Sequence, residues 1–326
     1  RLRGEIRVVF FAFDILGMYF LTRASISRLF TFILGLAFGH IIAFLFFPSE
    51  FAIDYPWKFG LAVPFGMLTV LFSSMTFRNN RVISAFILVL FGICSILLAG
   101  RSIGGVFILS GILTWYLSGS YIRRNNILWD NVYIFIILIG VTAGAVYQGY
   151  SYVAENGYLG EVSRLKYLHQ SSSQYGLLLS GRVEVFASTQ AISDSPIFGH
   201  GSWARDWKYI DLLQKIREYD SENTTSYIPE DNLIPSHSHI LGAWVESGVL
   251  GALFWFYILW SIFHCFKNIK SKKTEYLPII IWALIMLVWD LFFSPMGAYQ
   301  RVLSGFYILV VLYARNDGFY KKASNK

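Results

Sequence analysis

The chain has 326 residues, of which 55% are hydrophobic and only 14% are charged. A soluble domain carries about 25% charged residues, so this composition excludes an ordinary soluble protein. The net charge of +7 would be compatible with nucleic-acid binding, but Lys and Arg form short clusters between apolar runs, as the topology signals of membrane proteins do. We therefore expect a membrane protein that binds membrane lipids and no nucleic acid.

Apolar runs recur along the chain, and a run of roughly 20 residues can cross the hydrocarbon core of a bilayer, which is about 30 Å thick. We predict nine membrane helices in an all-α polytopic fold. Their approximate bounds, in chain order, are residues 8–21, 26–47, 57–77, 82–99, 103–122, 132–148, 239–266, 276–293 and 300–314. The first run is short for a spanning helix and contains Asp14.

Basic residues mark alternate connections between these runs. The connections at 48–56 and 294–299 contain neither Lys nor Arg, and the turn near Gly100 contains only Arg101. The alternate connections carry clusters of Arg, of Lys or of both. Because Lys and Arg are enriched on the cytoplasmic side, the basic connections are predicted to be cytoplasmic. The clusters are Arg23 with Arg28, Arg78 with Arg81, Arg123 with Arg124, Lys267 to Lys273, and Arg315 to Lys322.

This topology places Arg1, Arg3 and Arg7 on the non-cytoplasmic side, before the first predicted helix. A native amino terminus with three arginines would not normally be translocated. We therefore expect an odd number of upstream helices, three being the simplest number, and about 12 helices in the full-length protein.

The sequence divides into amino-terminal helices at 1–148, one long non-cytoplasmic connection at 149–238, and three closing helices with a tail at 239–326. Two helix-like patterns occur in the connection, near 161–175 and 203–218. The second carries an apolar stripe of Trp207, Ile210, Leu213 and Ile216 beside basic residues. Such a helix can lie flat at the lipid interface or pack on the membrane domain, and the sequence leaves both open.

The first candidate site is Arg101 with Ser102, at a predicted helix junction that is flanked by Gly100, Gly104 and Gly105. Small residues let helices approach closely. Backbone N–H groups and a hydroxyl at the start of a helix form a natural site for an anion. The alternative is that Arg101 extends to lipid headgroups.

The second candidate is Arg182, at the start of a predicted amphipathic helix that ends before Pro196. Gly199 and Gly201 then predict a tight turn. A surface ion pair of Arg182 with a nearby acid, such as Glu184, is the alternative.

The third candidate is the pair His237 and His239, where the long connection re-enters the membrane. Histidine has an ordinary pKa of about 6.5, which suits proton transfer near neutral pH. His-x-His could also be half of a metal site, but no spacing in the sequence supplies further ligands. Glu246 follows a little over two helical turns later and is a possible partner.

Five motifs resemble those of the O-antigen ligase and O-antigen polymerase superfamily. An HSxxL pattern begins at His237, and an ExGxxG pattern begins at Glu246. They are preceded by SGR at 180–182 and by a PxFGxG pattern that begins at Pro196. A Ser-Arg type signature of the family is similar to Arg101 and its neighbours, although Gly100 replaces the usual preceding Ser. The order of helices, one large loop and three closing helices also agrees, with the loop between the sixth and seventh helices of this chain.

The resemblance implies a GT-C-like fold and an inner-membrane enzyme whose active site faces the periplasm. It implies an inverting, metal-independent glycosyltransferase that moves a glycan from undecaprenyl pyrophosphate to a sugar hydroxyl of the lipid A core. His237 would be the general base, and Arg101 and Arg182 would bind the pyrophosphate, without a cofactor. Weaker candidates for the site are His239, Ser102, Arg3, Arg7 and Glu246.

Two alternative functions remain. A polymerase would transfer the glycan to a second lipid-linked repeat, by the same chemistry. A lipid or polysaccharide transporter would need paired charges deep in the membrane, and the deep candidates are Asp14, His40 and Asp290. These three residues form no evident set in the sequence.

Overall fold

The computed structural model of the chain describes residues 2–22, 25–118, 132–158, 182–220, 233–271 and 276–315, together with a few short stretches between 160 and 171. Within this part of the chain every secondary-structure element is a helix. We number the α-helices as α1 Leu2–Thr22, α2 Ile26–Phe46, α3 Glu50–Asp54, α4 Ala62–Thr76, α5 Arg81–Leu97, α6 Arg101–Ser118, α7 Val132–Glu155, α8 Glu184–Asp194, α9 Trp207–Asp220, α10 His239–Ser271, α11 Leu277–Phe293 and α12 Ala298–Arg315.

Helices occupy the nine predicted spans, with differences mainly at their ends. Helix α1 begins at Leu2 and α7 continues to Glu155, so both are longer than predicted. The third span begins with a π-helical turn, Pro56–Leu61, before α4. In the long connection, α8 and α9 confirm two predicted helices, whereas most of the pattern near 161–175 lies outside the described residues.

Several of these helices are suited to a membrane. Among the described residues, those long and apolar enough to span a bilayer are Ile26–Phe46, Pro56–Thr76 and His239–Phe266. Shorter apolar helices are Val8–Thr22, Arg81–Leu97 and Leu277–Phe293. The protein is therefore a helical membrane protein, and a total of nine crossings remains a prediction.

The chain forms two compact units. The first contains residues 1–20, 165–264 and 287–309, and the second contains residues 21–164, 265–286 and 310–326. Of the candidate residues, Arg182, His237, His239 and Glu246 belong to the first unit. Arg101 and Ser102 belong to the second.

In the second unit, α5 and α6 form a tight hairpin. A Cβ atom placed on Gly104 would lie 2.6 Å from the Gly92 carbonyl oxygen, and one on Gly111 would lie 2.6 Å from the Ala85 carbonyl oxygen. Only glycine permits backbones to approach this closely, as expected for small residues at a membrane helix interface. The connecting turn is closed by the Gly100 amide, which donates to the Ser95 carbonyl at 2.7 Å.

In the first unit, α8 and α9 pack together through a small apolar core. Its buried members are Val183, Ala187, Ala191, Tyr209, Leu213, Ile234 and Val245. Of the predicted stripe on α9, Ile210 and Leu213 are buried and Ile216 packs against this core, while Trp207 is exposed. Three of the four stripe residues therefore pack within the protein, Leu213 and Ile216 against side chains of α8 and α10.

Helix α10 is broken at Gly248, whose φ of 61° and ψ of −151° are not helical. The break frees backbone groups that need partners. The amides of His200 and Gly201 donate to the carbonyls of Val245 and Glu246, at 2.8 and 3.0 Å. The turn after α8 is therefore hydrogen-bonded directly into the break.

Candidate functional site

Arg182 lies just before α8 and contacts the carboxyl-terminal end of α11. Its Nη1 donates to the Phe293 carbonyl oxygen at 2.7 Å. The guanidinium carbon lies 5.4 and 5.0 Å from the ring centroids of Trp289 and Phe293. Burial lowers the pKa of Arg182, an effect that the nearby Glu184 carboxylate opposes. The arginine is thus a partly desolvated cation held over two aromatic faces and a helix carboxyl terminus, where positive charge is stabilised.

The chain segment that carries His237 is held on both sides. Before it, the Ser188 hydroxyl on α8 donates to the Pro235 carbonyl at 2.8 Å. After it, the Ser238 hydroxyl donates to the Leu291 carbonyl at 2.7 Å. His237 itself is partly exposed. Its backbone is therefore fixed between α8 and the same helix end that Arg182 contacts.

Ser238 also caps the start of α10. Its hydroxyl oxygen accepts a hydrogen bond from the Leu241 amide at 3.1 Å. A serine that accepts from the third residue of a helix satisfies one of the amides that have no partner within the helix. One buried hydroxyl thus joins the start of α10 to the end of α11.

His239 is buried, with 1% of its surface exposed. Its Nδ1 lies 2.7 Å from the Ser294 carbonyl oxygen, and its Nε2 lies 2.9 Å from the Ser304 hydroxyl. Because a carbonyl oxygen can only accept, Nδ1 carries a proton, and in the neutral ring Nε2 accepts from Ser304. The ring also stacks edge-on against Trp255, with centroids 5.0 Å apart. Both ring nitrogens of the buried His239 are therefore engaged in hydrogen bonds.

The polar contacts of His239 continue to Asp290 on α11. The Asp290 side chain is 1% exposed, and hydrogen-bonding side chains of Ser294, Gln300 and Ser304 reach its carboxyl group. Its Oδ2 atom has no hydrogen-bond partner among the described residues. Ser304 contacts both His239 and Asp290, so the three side chains form one buried polar chain.

Glu246 is part of the break in α10 and does not lie in a helix interior. Its Oε2 accepts from the Ser202 hydroxyl at 3.4 Å, and its carbonyl accepts from the Gly201 amide. The neighbouring His200 directs Nε2 at the Ala191 carbonyl, 2.7 Å away. Glu246 thereby helps to connect the turn after α8 to α10, which is a structural role.

In the second unit, Arg101 is the first residue of α6, and Ser102 follows it at partial exposure. Arg101 Nη1 donates to the Tyr150 hydroxyl on α7 at 2.9 Å, and the guanidinium carbon lies 5.0 Å from the Tyr150 ring centroid. This places both residues at the amino terminus of a helix, as predicted from the sequence. Convergence of Arg101 with Arg182 and His237 stays a prediction.

The weaker candidates Arg3 and Arg7 lie on α1, for which the structure describes only the backbone at these positions. His40, one of the deep residues, lines a cavity of about 630 Å³ in the second unit, together with Arg28 and Gly35 on α2. The deep residues therefore fall into different surroundings, since Asp290 belongs to the buried chain in the first unit.

Metal ligands were an open alternative for the His-x-His pair. In the part of the chain that the structure describes, no three His, Cys, Asp or Glu side chains are grouped so that they could hold a metal ion. His239 directs its nitrogens at a carbonyl and a hydroxyl, and an Nδ1 that carries a proton cannot bind a metal. His169 and the preceding SGR residues Ser180 and Gly181 lie outside the described residues.

The sequence indicated the contribution of α11 to this site only through Asp290, which lies beside Trp289. Trp289, Phe293 and the carbonyls of Leu291 and Ser294 contact the candidate residues, yet they read as ordinary membrane-helix positions. Backbone carbonyls are identical in every residue, so no sequence signal could have found them. The Trp-Asp pair at 289–290 inside an apolar run was the available clue.

The comparisons with family models, with curated proteins and with solved structures find no match for the chain. The chemistry of the site is accordingly inferred from its own side chains.

Proposed function

We propose that the protein is a membrane glycosyltransferase that uses a lipid-linked glycan as donor. The observation that carries the proposal is the gathering of Arg182 and the His237 segment at one helix end. Arg182 binds the Phe293 carbonyl, and Ser238, next to His237, binds the Leu291 carbonyl, two residues away on the same turn of α11. A fixed cation and a partly exposed histidine, on segments that contact the same helix end, suit transfer from a phosphate leaving group to a hydroxyl.

The donor in this proposal is a glycan on undecaprenyl pyrophosphate. As its glycosidic bond breaks, negative charge develops on the pyrophosphate. Arginine meets phosphate oxygens with a planar fork of N–H donors and stays charged at any relevant pH. Charge placed where it develops in the transition state is usually the largest catalytic contribution. Arg182 takes this role, and Arg101 is proposed as the second cation.

The acceptor is a sugar hydroxyl. His237 takes the hydroxyl proton on a ring nitrogen while the oxygen attacks the anomeric carbon. The bond from that carbon to the phosphate oxygen breaks, and undecaprenyl pyrophosphate leaves with the bonding electrons. A single displacement of this kind inverts the anomeric centre. Proton removal by a placed base contributes about 10²–10⁴-fold to the rate.

The proposed location is the bacterial inner membrane, with the site facing the periplasm. The distribution of Lys and Arg supports this orientation, since the basic connections lie opposite the long connection that contains Arg182. A polyprenyl tail must stay in lipid while its headgroup reaches water, so a site at the membrane surface suits this donor. A GT-C-like fold belongs to the same proposal.

The resemblance of the sequence motifs favours an O-antigen ligase, with the lipid A core as acceptor. A polymerase that acts on a second lipid-linked repeat is the nearest alternative and uses the same residues. Parallel assays with the two acceptors distinguish them. Transfer to the lipid A core alone supports the ligase, and transfer to a lipid-linked repeat alone supports the polymerase.

The decisive experiment measures glycan transfer by His237→Ala, Arg182→Ala and Arg101→Ala in bilayers, with and without EDTA. Each variant is expected to insert normally and to lose most activity. Two arginines can supply the charge that Mg²⁺ often supplies, so the chelator is expected to change little. Transfer at the wild-type rate by His237→Ala would refute its assignment as base.

A further inference from the structure

The turn after α8 presents two bulky apolar side chains to its surroundings. Ile197 is 61% exposed and Phe198 is 86% exposed, and we refer to this pair as the apolar tip. The turn is closed by its own hydrogen bonds, because the Gly199 amide donates to the Ser195 carbonyl at 3.1 Å and the Ser195 hydroxyl donates to the Gly199 carbonyl at 2.9 Å. The exposure of the tip is therefore a property of a defined turn.

The apolar tip is attached to α10 at its break. The Val249 amide donates to the Ile197 carbonyl at 3.2 Å. The indole of Trp244 donates from Nε1 to the Pro196 carbonyl at 2.9 Å. Both contacts lie within His239–Phe266, one of the segments long and apolar enough to cross a bilayer. The tip is thus fixed beside a membrane-spanning segment, on the side of that segment where Trp244 lies.

Helix α10 carries further exposed apolar side chains beyond the tip. Leu250 is 74% exposed and Leu253 is 54% exposed. The ring of Phe256, which is 44% exposed, packs edge-on against Trp244 with centroids 6.2 Å apart. The tip therefore continues an apolar face that belongs to a membrane helix and lies outside the core of α8 and α9.

The polar backbone of the turn is compatible with lipid. Pro196 has no N–H group, and its carbonyl accepts from Trp244. The carbonyls of Ile197 and Gly199 accept from Val249 and Ser195. Irregular backbone is tolerated at membrane depth only where its polar groups have partners. These three carbonyls would therefore stay satisfied if the turn entered the bilayer surface.

We propose that the apolar tip inserts into the bilayer beside α10 and anchors the connection between α7 and α10 at a fixed depth. Its partner is the acyl region of the lipid, because the tip extends a lipid-facing helix surface. Bulky apolar side chains gain free energy when they leave water. The anchor does not depend on the proposed transfer reaction, since it concerns how the turn is held.

The test measures the depth of a spin label by electron paramagnetic resonance in phospholipid bilayers. The label is placed on Phe198→Cys in the full chain, with Cys94→Ala and Cys265→Ala to remove the two native thiols. Leu253→Cys is the lipid-facing reference. Gln190→Cys, exposed on α8, is the water-facing reference. Collisions with oxygen report lipid, and collisions with a polar nickel chelate report water.

A label at 198 is expected to be more accessible to oxygen than to the chelate, as at 253, and the reverse is expected at 190. Ile197→Cys repeats the measurement in case the substitution of Phe198 disturbs folding, and an unchanged spectrum of the label at 253 verifies the fold. Chelate access at 197 and 198 equal to that at 190 would overturn the anchor. Strong immobilisation without access to either reagent would overturn it too, because it would indicate a protein partner.

Discussion

Gly199 and Gly248 lie in direct backbone contact, although 48 residues of chain separate them in the numbering of the sequence. A Cβ atom on Gly199 would lie 2.5 Å from the Gly248 amide nitrogen, and one on Gly248 would lie 2.0 Å from the Ile197 carbonyl oxygen. Both residues also have positive φ, at 69° and 61°. Two motifs that the sequence presents as separate are therefore halves of one interlocked structure.

The interlock predicts that Gly199→Ala and Gly248→Ala destabilise the protein. Each substitution adds a steric clash with backbone to the strain of positive φ, which by itself costs about 1–3 kcal/mol. Thermal unfolding in detergent, followed by loss of the monodisperse peak, measures the effect. Gly297→Ala is the matched control, since nothing lies within 4 Å of its added Cβ. Equal stability of all three variants would contradict the interlock.

A second prediction separates the two histidines. His239→Ala leaves the Ser294 carbonyl and the Ser304 hydroxyl without their buried partner, at a cost of roughly 1–3 kcal/mol for each group. We expect His239→Ala to lower the unfolding temperature clearly more than His237→Ala does. The opposite order is expected for transfer activity, because the His237→Ala protein should remain folded and still lose activity. A stable His239→Ala variant would show that the two hydrogen bonds contribute little.

The aromatic faces beneath Arg182 give a third prediction. Trp289→Ala removes a cation–π contact worth about 0.5–2 kcal/mol, so it is expected to weaken donor binding about 2- to 30-fold. The change should appear in KM more than in kcat, because the residue positions the guanidinium and does not contact the reacting atoms. Trp289→Phe keeps an aromatic face and should restore most of the affinity. Phe292→Ala, on the same turn, is the control, and an equal KM effect there would indicate general disruption of the helix end.

A fourth prediction concerns pH and the contact between α8 and α9. Hydrogen bonds from Lys208 and Tyr209 lower the pKa of Asp194 from 3.8 to about 2. A carboxylate with a lowered pKa stabilises the folded state above its unfolded pKa, and this contribution is lost as the pH falls from 3.8 through 2. Pepsin cleavage of α9 should therefore accelerate across that interval in the wild-type protein.

Asp194→Asn provides the comparison at each pH, which removes the pH dependence of pepsin itself. The ratio of cleavage rates between variant and wild type should be greatest near pH 4 and approach one near pH 2. A ratio that stays constant over the interval would contradict the assigned contacts.

The hairpin of α5 and α6 gives a fifth prediction, with neighbouring residues as test and control. A Cβ on Gly104 would lie 2.6 Å from the Gly92 carbonyl oxygen, whereas nothing lies within 4 Å of one on Gly105. Gly104→Ala should separate the two helices and lower the unfolding temperature. It should also displace Arg101, which lies three residues before it in the chain. Gly105→Ala should be neutral or slightly stabilising, because alanine favours helices over glycine by about 1 kcal/mol. Equal effects of the two substitutions would exclude tight packing as the cause.

Hydropathy predicted where the helices lie because a helix in lipid must be apolar over most of its length. It did not predict the break at Gly248, since an isolated glycine is also common in intact membrane helices. The extra length of α7 at Glu155 was missed because its last turns are polar. Arg182 was recognised as a candidate by its type, but its partner, the Phe293 carbonyl, has no side-chain signature.

The burial of His239 shows the same limit. His237 and His239 differ by two positions in a polar stretch, and the sequence offers little to distinguish their exposure. The distinction arises because α10 begins at His239, which directs that ring between α11 and α12. Long-range packing therefore decided which imidazole is enclosed.

The capping of α11 has a consequence for how deeply this region can lie in the membrane. The last carbonyls of a helix normally rely on water, and a helix end without partners cannot enter a dehydrated environment. Here Arg182, Ser238 and His239 satisfy the carbonyls of Leu291, Phe293 and Ser294. Three carbonyls at the terminus of α11 are thus already supplied with donors, so this helix end can lie deeper in the membrane than one that is capped by water alone.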